Sequence, residues 1–473
     1  MSADMDLCYM TASEARRRFA EGSLSPVELV SALIERIEAV NPPVNALTYS
    51  FPERALTQAK KAEARYRARG AKARPLEGLP VMIKDGHDVK GEITTYGSRL
   101  YADHRPETSY YHIERLFRAG AILLGRTTTP EFGAATICHS DLWGVTRNPW
   151  NLEKSPAGSG GGAGAALALG MTPLCDGADY GGSIRNPASA SGVVGFRSPS
   201  GRIPKRPPWN FNNWSAFGPM TRSVADAALM ENVMAGPHLG DIMSLPTRKL
   251  IPKVLEGISG WRIACSPDLG HFPIDPDVAA NTKRALEAFR ELGCEVEEVA
   301  LPWGEEVLSA AMVHYRTFKD LGAEDMTDQQ KALLCDFLRR GDEYFQGRNK
   351  VSLARSTELR GEMYQALEPI FRRCRVLLCP TLALPAPPAE LHPIDGDVRI
   401  NGVKVDPTLG WTLCYPINML GQLPAISVPS GFASNGVPTG LQIVGRPYDD
   451  VSVFRAAAAF EGARPWDGHR PEL

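Results

Sequence analysis

Two glycine-rich turns, each carrying a serine, lie within one stretch of the chain, residues 155–191. The first turn contains Ser159 and the second contains Ser183. Glycine adopts backbone conformations that other residues avoid and lets a ligand approach the main chain closely. The small residues 162–170 between the turns predict a helix, and residues 171–176 predict a strand. This stretch therefore predicts a site that is built largely from backbone groups.

A lysine stands upstream at the end of a continuous apolar run. Residues 79–83 read Leu-Pro-Val-Met-Ile, and Lys84 follows them directly. A short apolar run of this kind is typical of a buried strand. The sequence therefore places an ionisable amine at the end of a strand in the protein interior.

Alternating strands and helices indicate the fold class. A helix near 109–119 separates strand-like runs at 79–83 and 121–124, and a further run covers 171–174. Later segments repeat the alternation, with strands at 261–265 and 294–299 around a helix at 277–292, and with strands at 376–379, 425–428 and 441–444. Residues 303–373 are charged, poor in glycine and predicted to be helical. This order predicts an α/β fold.

Composition excludes several classes of protein. The 473 residues are 43% hydrophobic and 22% charged with a formal net charge of −2, so the basic stripe of a nucleic-acid-binding protein is not expected. No apolar run approaches the ~18 residues of a membrane span, and residues 1–11 do not resemble a secretory leader. We therefore expect a cytoplasmic protein with no nucleic-acid or membrane partner.

Cysteine and histidine spacing predicts neither disulfides nor a metal. Nine cysteines are scattered without a C-x-x-C pair, which favours reduced, buried thiols. The histidines show no paired-ligand spacing. We expect no metal and no other cofactor.

Several motifs together resemble the amidase signature family. They are LPVMIKD around Lys84, NPWN at 148–151, SPAGSGG, DYGGSIRNP and GVVGFRSPSGRIP. Members of this family hydrolyse or transfer amide C–N bonds through a Ser–cis-Ser–Lys triad, and the spacing of Lys84, Ser159 and Ser183 fits that pattern. Aryl acylamidases and the 6-aminohexanoate cyclic-dimer hydrolase look most similar among its members.

The resemblance implies an architecture. It is most specific over about residues 70–205, with a variable helical layer at about 303–373. It implies one amidase domain over residues 1–473, in which a central mixed β-sheet is enclosed by α-helices on both faces. It also implies a small-molecule amide or carbamate substrate, and it leaves a homodimer open.

The resemblance also implies a role for each triad residue. Ser183 is the acyl-forming nucleophile, Lys84 is the base, and Ser159 relays the proton between them after a cis Gly158–Ser159 bond. The residues themselves supply the physical constraint. An ordinary lysine has a pKa of about 10.4, and lowering it to about 7 requires roughly 4–5 kcal/mol, which full burial can supply.

The residues around Ser183 are expected to stabilise charge and hold the turn. The backbone amides of Tyr180, Gly181, Gly182 and Ser183 are the implied oxyanion hole. Asp179 and Arg185 flank the turn, and we expect a charge-assisted pair between them that supports its shape.

Substrate-pocket residues are less constrained. Phe132 and Gly133 lie in the segment where the family has a pocket wall, and Trp209 and Trp214 belong to an aromatic cluster after residue 205. These aromatic residues fit either a substrate wall or an ordinary packed loop, and the sequence leaves both interpretations open.

The leading hypothesis is a serine amidohydrolase for small to medium hydrophobic substrates, including aryl and alkyl amides, carbamates (urethanes) and esters. One alternative is the A subunit of a tRNA-dependent amidotransferase, although Asn186 stands where those proteins usually carry glutamine. Another is a catalytically silent binding protein on the same fold.

Overall fold

A computed structural model describes residues 4–68, 72–318, 325–348 and 350–473. Its helices are α1 (Met5–Cys8), α2 (Ala12–Glu21), α3 (Pro26–Val44), α4 (Pro52–Arg67), α5 (Tyr111–Arg118), α6 (Gly161–Ala168), α7 (Arg185–Ser191), α8 (Val224–Met234), α9 (Pro276–Glu291), α10 (Glu306–Phe318), α11 (Asp328–Ala332), α12 (Asp336–Arg339), α13 (Gly341–Arg348), α14 (Leu353–Arg373), α15 (Tyr415–Met419) and α16 (Asp450–Ala463).

The strands are β1 (Leu47–Ser50), β2 (Pro80–Lys84), β3 (Ile122–Thr127), β4 (His139–Ser140), β5 (Gly144–Val145), β6 (Leu174–Asp179), β7 (Val194–Arg197), β8 (Ala216–Thr221), β9 (Arg262–Cys265), β10 (Glu295–Glu298), β11 (Val376–Pro380), β12 (Val398–Ile400), β13 (Val403–Val405), β14 (Ala425–Phe432) and β15 (Pro438–Gly445).

One large mixed sheet organises the chain. Its eleven strands run in the order β1-β3-β2-β6-β8-β7-β14-β15-β11-β9-β10, and helices flank it. The pairs β2–β3 and β2–β6 are parallel, whereas β6–β8 and β7–β8 are antiparallel. The predicted α/β class with a central mixed sheet is therefore confirmed.

Strand β2 shows why an apolar run ends at Lys84. All of its residues are buried, as expected for a parallel strand that is covered on both faces. Its register aligns Val81 with Leu174 and Met82 with Cys175 of β6. This pairing brings the end of β2 beside the strand that leads into the second glycine-rich turn.

Two local predictions differ from the structure for one reason. The strand predicted at 171–176 lies at Leu174–Asp179, and residues 216–221, for which no strand is predicted, form β8. Both strands contain residues that argue against a central position, namely Asp176 and Asp179 in β6 and Pro219 in β8. In both strands, pairing with neighbouring strands outweighs the low strand propensity of these residues.

Other predictions hold with small shifts. The helix expected at 162–170 spans Gly161–Ala168, and Ser25 with Glu28 forms a capping box at the start of α3. Helices α10 to α14 occupy the predicted helical stretch, of which residues 319–324 and 349 lie outside the described residues. The nine cysteines are free thiols, and all except the half-buried Cys335 are buried. Among the described residues, no helix is both long and apolar enough to span a membrane.

Candidate active site

Strand β2 delivers the Lys84 side chain into the protein interior. Lys84 is only 4% exposed, and its Nζ donates a hydrogen bond of 2.6 Å to Ser159 Oγ. Burial lowers the pKa of Lys84 to about 8, although Cys138, Asp176 and Asp179 oppose this shift. The amine is therefore deprotonated much more easily than an ordinary lysine, which suits a general base.

The first glycine-rich turn presents Ser159 just before α6. The Gly158–Ser159 peptide bond is cis, and Ser159 is 2% exposed. A side chain at Gly158 would lie 2.4 Å from the Ile137 carbonyl oxygen, so only glycine fits there. The Gly160 amide donates to the Ser183 carbonyl at 3.1 Å. This bond ties the first turn directly to the second.

The second turn presents Ser183 between β6 and α7. Ser183 is half-buried, whereas Lys84 and Ser159 are buried. Ser183 is therefore the most accessible of the three residues for an incoming substrate. The structure brings the three residues to one place, with Lys84 and Ser159 in direct contact and Ser183 joined to the first turn through its backbone.

A buried ion pair holds the second turn. Arg185 donates to Asp179 through Nε at 2.9 Å and through Nη2 at 2.8 Å, and both side chains are fully buried. Asn418 donates to Asp179 at 2.8 Å, and Arg185 also bonds Gln442. Burial alone would raise the pKa of Asp179, but Arg185 holds it below its usual range. The pair thus fixes the turn with charge-assisted bonds.

The backbone amides of the second turn differ in the acceptors that they already have. Gly182 N–H donates to Asp179 Oδ1 at 2.9 Å, so it already has an acceptor in this structure. The amides of Gly181 and Ser183 have no hydrogen-bonded acceptor among the described residues. Gly181 and Ser183 thus present available donors, and the expected oxyanion role of the amides of Tyr180, Gly181, Gly182 and Ser183 stays a prediction.

Of the four expected pocket residues, Gly133 and Phe132 lie near the serine–lysine contact. A side chain on Gly133 would meet Ser159 Oγ at 3.2 Å and Lys84 Nζ at 3.8 Å. Phe132 adopts a left-handed φ of 50° and donates its amide to the Tyr96 carbonyl at 2.7 Å. The Phe132 and Tyr96 rings stack at 6.3 Å. Phe132 therefore connects this aromatic pair to Gly133, which faces the contact between Lys84 and Ser159.

The two tryptophans occupy different surroundings. Trp214 is fully buried, stacks on His314 at 3.7 Å and lies 6.2 Å from the Tyr180 ring. Trp209 lies half-buried in a short 3-10 helix, Trp209–Phe211. None of the contacts of the described residues joins Trp209 to the two serines. Trp214 thus lies next to Tyr180 of the second turn. The expectation that Trp209 lines the substrate pocket gains no support.

Tyr315 is a site residue that sequence reasoning missed. A side chain on Gly181 would lie 1.6 Å from the Tyr315 hydroxyl, so this oxygen occupies the space beside the turn. Burial raises the pKa of Tyr315, which keeps its hydroxyl protonated. Tyr315 lies in α10, inside the charged helical stretch, where no local signal marked it.

The described residues contain two groups with a geometry that could hold a metal ion. His87, His112 and Asp176 form a buried group, and Asp336, His392 and Asp395 form a more exposed one. In the buried group the side chains already bond one another, with His87 Nδ1 2.6 Å and His112 Nε2 3.0 Å from Asp176 Oδ2. The expected absence of a metal remains a prediction.

Comparison with known proteins identifies the relatives of this chain. The Amidase family model matches residues 28–454. An acylamidase from Rhodococcus erythropolis is 36% identical over 475 residues, which cover 99% of this chain and 98% of the relative. The A subunit of the glutamyl-tRNA(Gln) amidotransferase from Chloroflexus aggregans is 33% identical, with 99% of each chain covered.

Solved structures of amidases also superpose on nearly the whole of this chain. A bacterial aryl acylamidase of the amidase signature family superposes with a TM-score of 0.88 at 30% identity, covering 97% of each chain. The 6-aminohexanoate cyclic dimer hydrolase in complex with substrate superposes with a TM-score of 0.82 at 28% identity, covering 98% of this chain and 99% of the other.

Proposed function

This chain belongs to the amidase family, and on that basis we propose that it is a serine amidohydrolase that forms an acyl-enzyme on Ser183. The observation that carries the proposal is the 2.6 Å hydrogen bond from Lys84 Nζ to Ser159 Oγ in a buried site. A lysine with a pKa of about 8 is a competent base near neutral pH.

The acylation step moves one proton as one bond forms. Ser183 Oγ adds to the amide carbonyl carbon, its proton passes to Ser159, and the Ser159 proton passes to Lys84. The tetrahedral oxyanion is bound by the Gly181 and Ser183 amides. Removing one such donor typically costs about 3–4 kcal/mol of barrier.

Collapse of the intermediate returns the proton. The C–N bond breaks, and the leaving nitrogen receives a proton from Ser159, which regains one from the Lys84 ammonium. Water then attacks the Ser183 ester and gives one proton through Ser159 to Lys84. That proton returns through Ser159 to Ser183 Oγ as the ester bond breaks. The product acid leaves and Ser183 is regenerated.

We propose small to medium hydrophobic substrates, above all amides with an aromatic portion, and include carbamates and esters because they share the same acyl chemistry. Aromatic rings support this choice. The Phe132 and Tyr96 rings stack on one another, and Phe132 precedes Gly133, which faces Lys84 and Ser159. Tyr180 packs against Tyr315 at 4.7 Å beside the nucleophile turn. The similarity to an acylamidase and to an aryl acylamidase points the same way.

The amidotransferase alternative rests on the full-length similarity to the A subunit of glutamyl-tRNA(Gln) amidotransferase. That function requires glutamine as the amide donor and partner chains. The present chain would then hydrolyse glutamine in preference to apolar amides.

One panel of substrates separates these functions. The purified protein is assayed on chromogenic anilides, aliphatic amides, p-nitrophenyl esters, carbamates and glutamine, with Ser183→Ala as the control. We expect anilides to be cleaved and glutamine not to be. Glutamine as the best substrate would favour the amidotransferase, and turnover unchanged in Ser183→Ala would contradict the nucleophile.

A further inference from the structure

A buried His–Asp–His network lies directly against the backbone of Lys84. Asp176 Oδ1 accepts the Lys84 amide at 2.8 Å, while Oδ2 accepts from His87 Nδ1 and His112 Nε2. Asp176 and His112 are 0% exposed and His87 is 3% exposed. The Phe217 ring covers both imidazoles, at 5.1 Å from His87 and 4.3 Å from His112.

The bonds in this network define its charge. An ionised carboxylate is only an acceptor, so each imidazole uses one N–H to donate to it, which a neutral ring can do. Burial lowers the pKa of His87, which favours its neutral form. Burial alone would raise the pKa of Asp176, but the two histidines hold it below its usual range. The hydrogen bonds and the lowered pKa therefore favour an ionised Asp176 carboxylate in the core.

The other ionisable groups near Lys84 are balanced in a different way. Asp179 is paired with Arg185 at 2.8 Å, and Asp85 lies 3.6 Å from Arg126 and bonds Thr95. The Cys138 thiol is neutral, since burial raises its pKa. The remaining charged or titratable neighbours of the network are Tyr110, Cys175 and Arg126.

Asp176 thus differs from Asp179, the other carboxylate that opposes the lowered pKa of Lys84, because both side chains that donate to Asp176 are histidines, whereas Asp179 is paired with an arginine. The Arg126 guanidinium is engaged elsewhere, with the carbonyls of Ile83, Lys84 and His87. Within the described part of the chain, no arginine or lysine side chain therefore forms an ion pair with Asp176.

We propose that Asp176, held ionised by His87 and His112, is the positioning residue and counter-charge for the Lys84 ammonium that forms during acylation. This inference rests on the proposed function, in which Lys84 is the base. A proton that arrives on a buried amine creates a charge that is costly without an opposite charge nearby. The hydrogen bond to the Lys84 backbone also fixes the end of β2, from which the side chain extends.

The proposal is tested by the pH dependence of kcat/KM in Asp176→Asn. Asparagine keeps the shape and removes the charge, so the ammonium form of Lys84 loses stabilisation. The rising limb of kcat/KM should move to lower pH by about one unit, the order expected for loss of a nearby opposite charge, and the plateau should fall. Asp85→Asn is the matched control, because it removes a carboxylate adjacent in sequence that bonds Thr95 rather than Lys84, and its limb should stay in place.

A second pair of variants keeps the test decisive if Asp176→Asn does not fold. His112→Leu removes one donor from the carboxylate, and its limb should move in the same direction by a smaller amount. His112→Gln retains an N–H donor and should restore the wild-type limb. An Asp176→Asn limb identical to that of wild type would overturn the proposal. If Asp176→Asn does not fold, a His112→Leu limb identical to that of wild type would overturn it.

Two further outcomes are informative. A stoichiometric metal in the purified protein, with activity lost on chelation and histidine-ligand signatures lost in His112→Leu, would make the cluster a metal site and overturn the proposal. Lys84→Met distinguishes failure of the proposed function from failure of the counter-charge assignment. If Lys84→Met stays active, the proposed function itself fails, but if it is inactive while the Asp176→Asn limb is unmoved, only the counter-charge assignment fails.

Discussion

At the residue scale, the position of Lys84 defines its chemistry. The apolar run before it gives a buried strand, and burial lowers the pKa of the amine to about 8. The contact with Ser159 was predictable from the motifs. The partners that tune the amine were not, because His87 and His112 lie 89 and 64 residues from Asp176 in the chain.

The first prediction concerns Lys84→Met, which keeps the bulk of the stem without the amine. We expect kcat/KM to fall by several orders of magnitude, and Lys84→Arg to fail as well because a guanidinium is not deprotonated in this range. In wild type, kcat/KM should rise with pH through a limb near 8, since the neutral amine is the active form.

Lys205→Met is the matched control for this prediction. Lys205 is also buried, with a pKa lowered to about 7, but it donates to the Asn212 and Ser215 carbonyls instead of a serine hydroxyl. The rising limb of kcat/KM against pH in Lys205→Met should match that of wild type. Activity of Lys84→Met within about tenfold of wild type, a loss of only ~1.4 kcal/mol, would make Lys84 a structural cation.

A second prediction at this scale concerns Gly181→Ala. The new methyl would lie 1.6 Å from the Tyr315 hydroxyl, so either the ring or the turn must move. We expect kcat/KM to fall more than tenfold, ~1.4 kcal/mol, and to recover in part when Tyr315→Phe is added. Gly257→Ala, where nothing lies within 4 Å, should be neutral. If kcat/KM of Gly181→Ala equals that of wild type, the assignment of Tyr315 to the active site is wrong.

At the element scale, the strand–turn–helix unit of β6, the second turn and α7 depends on buried charges. The ion pair between Asp179 and Arg185 was expected from their positions beside the turn. The extent of β6 was not, because its polar residues Asp176 and Asp179 resemble loop residues until their partners are known. Likewise β8 contains Pro219 and reads as loop, although it pairs with β6 along its whole length.

The prediction for this unit concerns stability. Arg185→Met should lower the free energy of unfolding by about 3–5 kcal/mol, because it leaves the Asp179 charge buried and uncompensated. Arg147→Met is the control, since Arg147 pairs with Glu390 at 2.6 Å on an exposed surface and should cost no more than about 1 kcal/mol. Urea denaturation compares the two. Equal losses would show that the buried pair does not hold the turn.

At the scale of the whole molecule, the mixed sheet gathers residues that are far apart in sequence. Composition and strand–helix alternation were enough for the α/β class, and the motifs were enough for the family. The helical stretch from 306 to 373 supplied Tyr315, which no motif marked. The position of Tyr315 depends on how α10 packs beside the second turn. Local sequence patterns do not predict such packing.

The most direct test of the central claim, an acyl-enzyme on Ser183, is to map the site of covalent labelling. Wild-type protein is treated with a fluorophosphonate and analysed by intact-mass and peptide mass spectrometry. We predict one adduct per chain on Ser183, none in Ser183→Ala, and much slower labelling in Lys84→Met. A principal adduct on Ser159 or on a cysteine, or equal labelling of Ser183→Ala, would contradict the account.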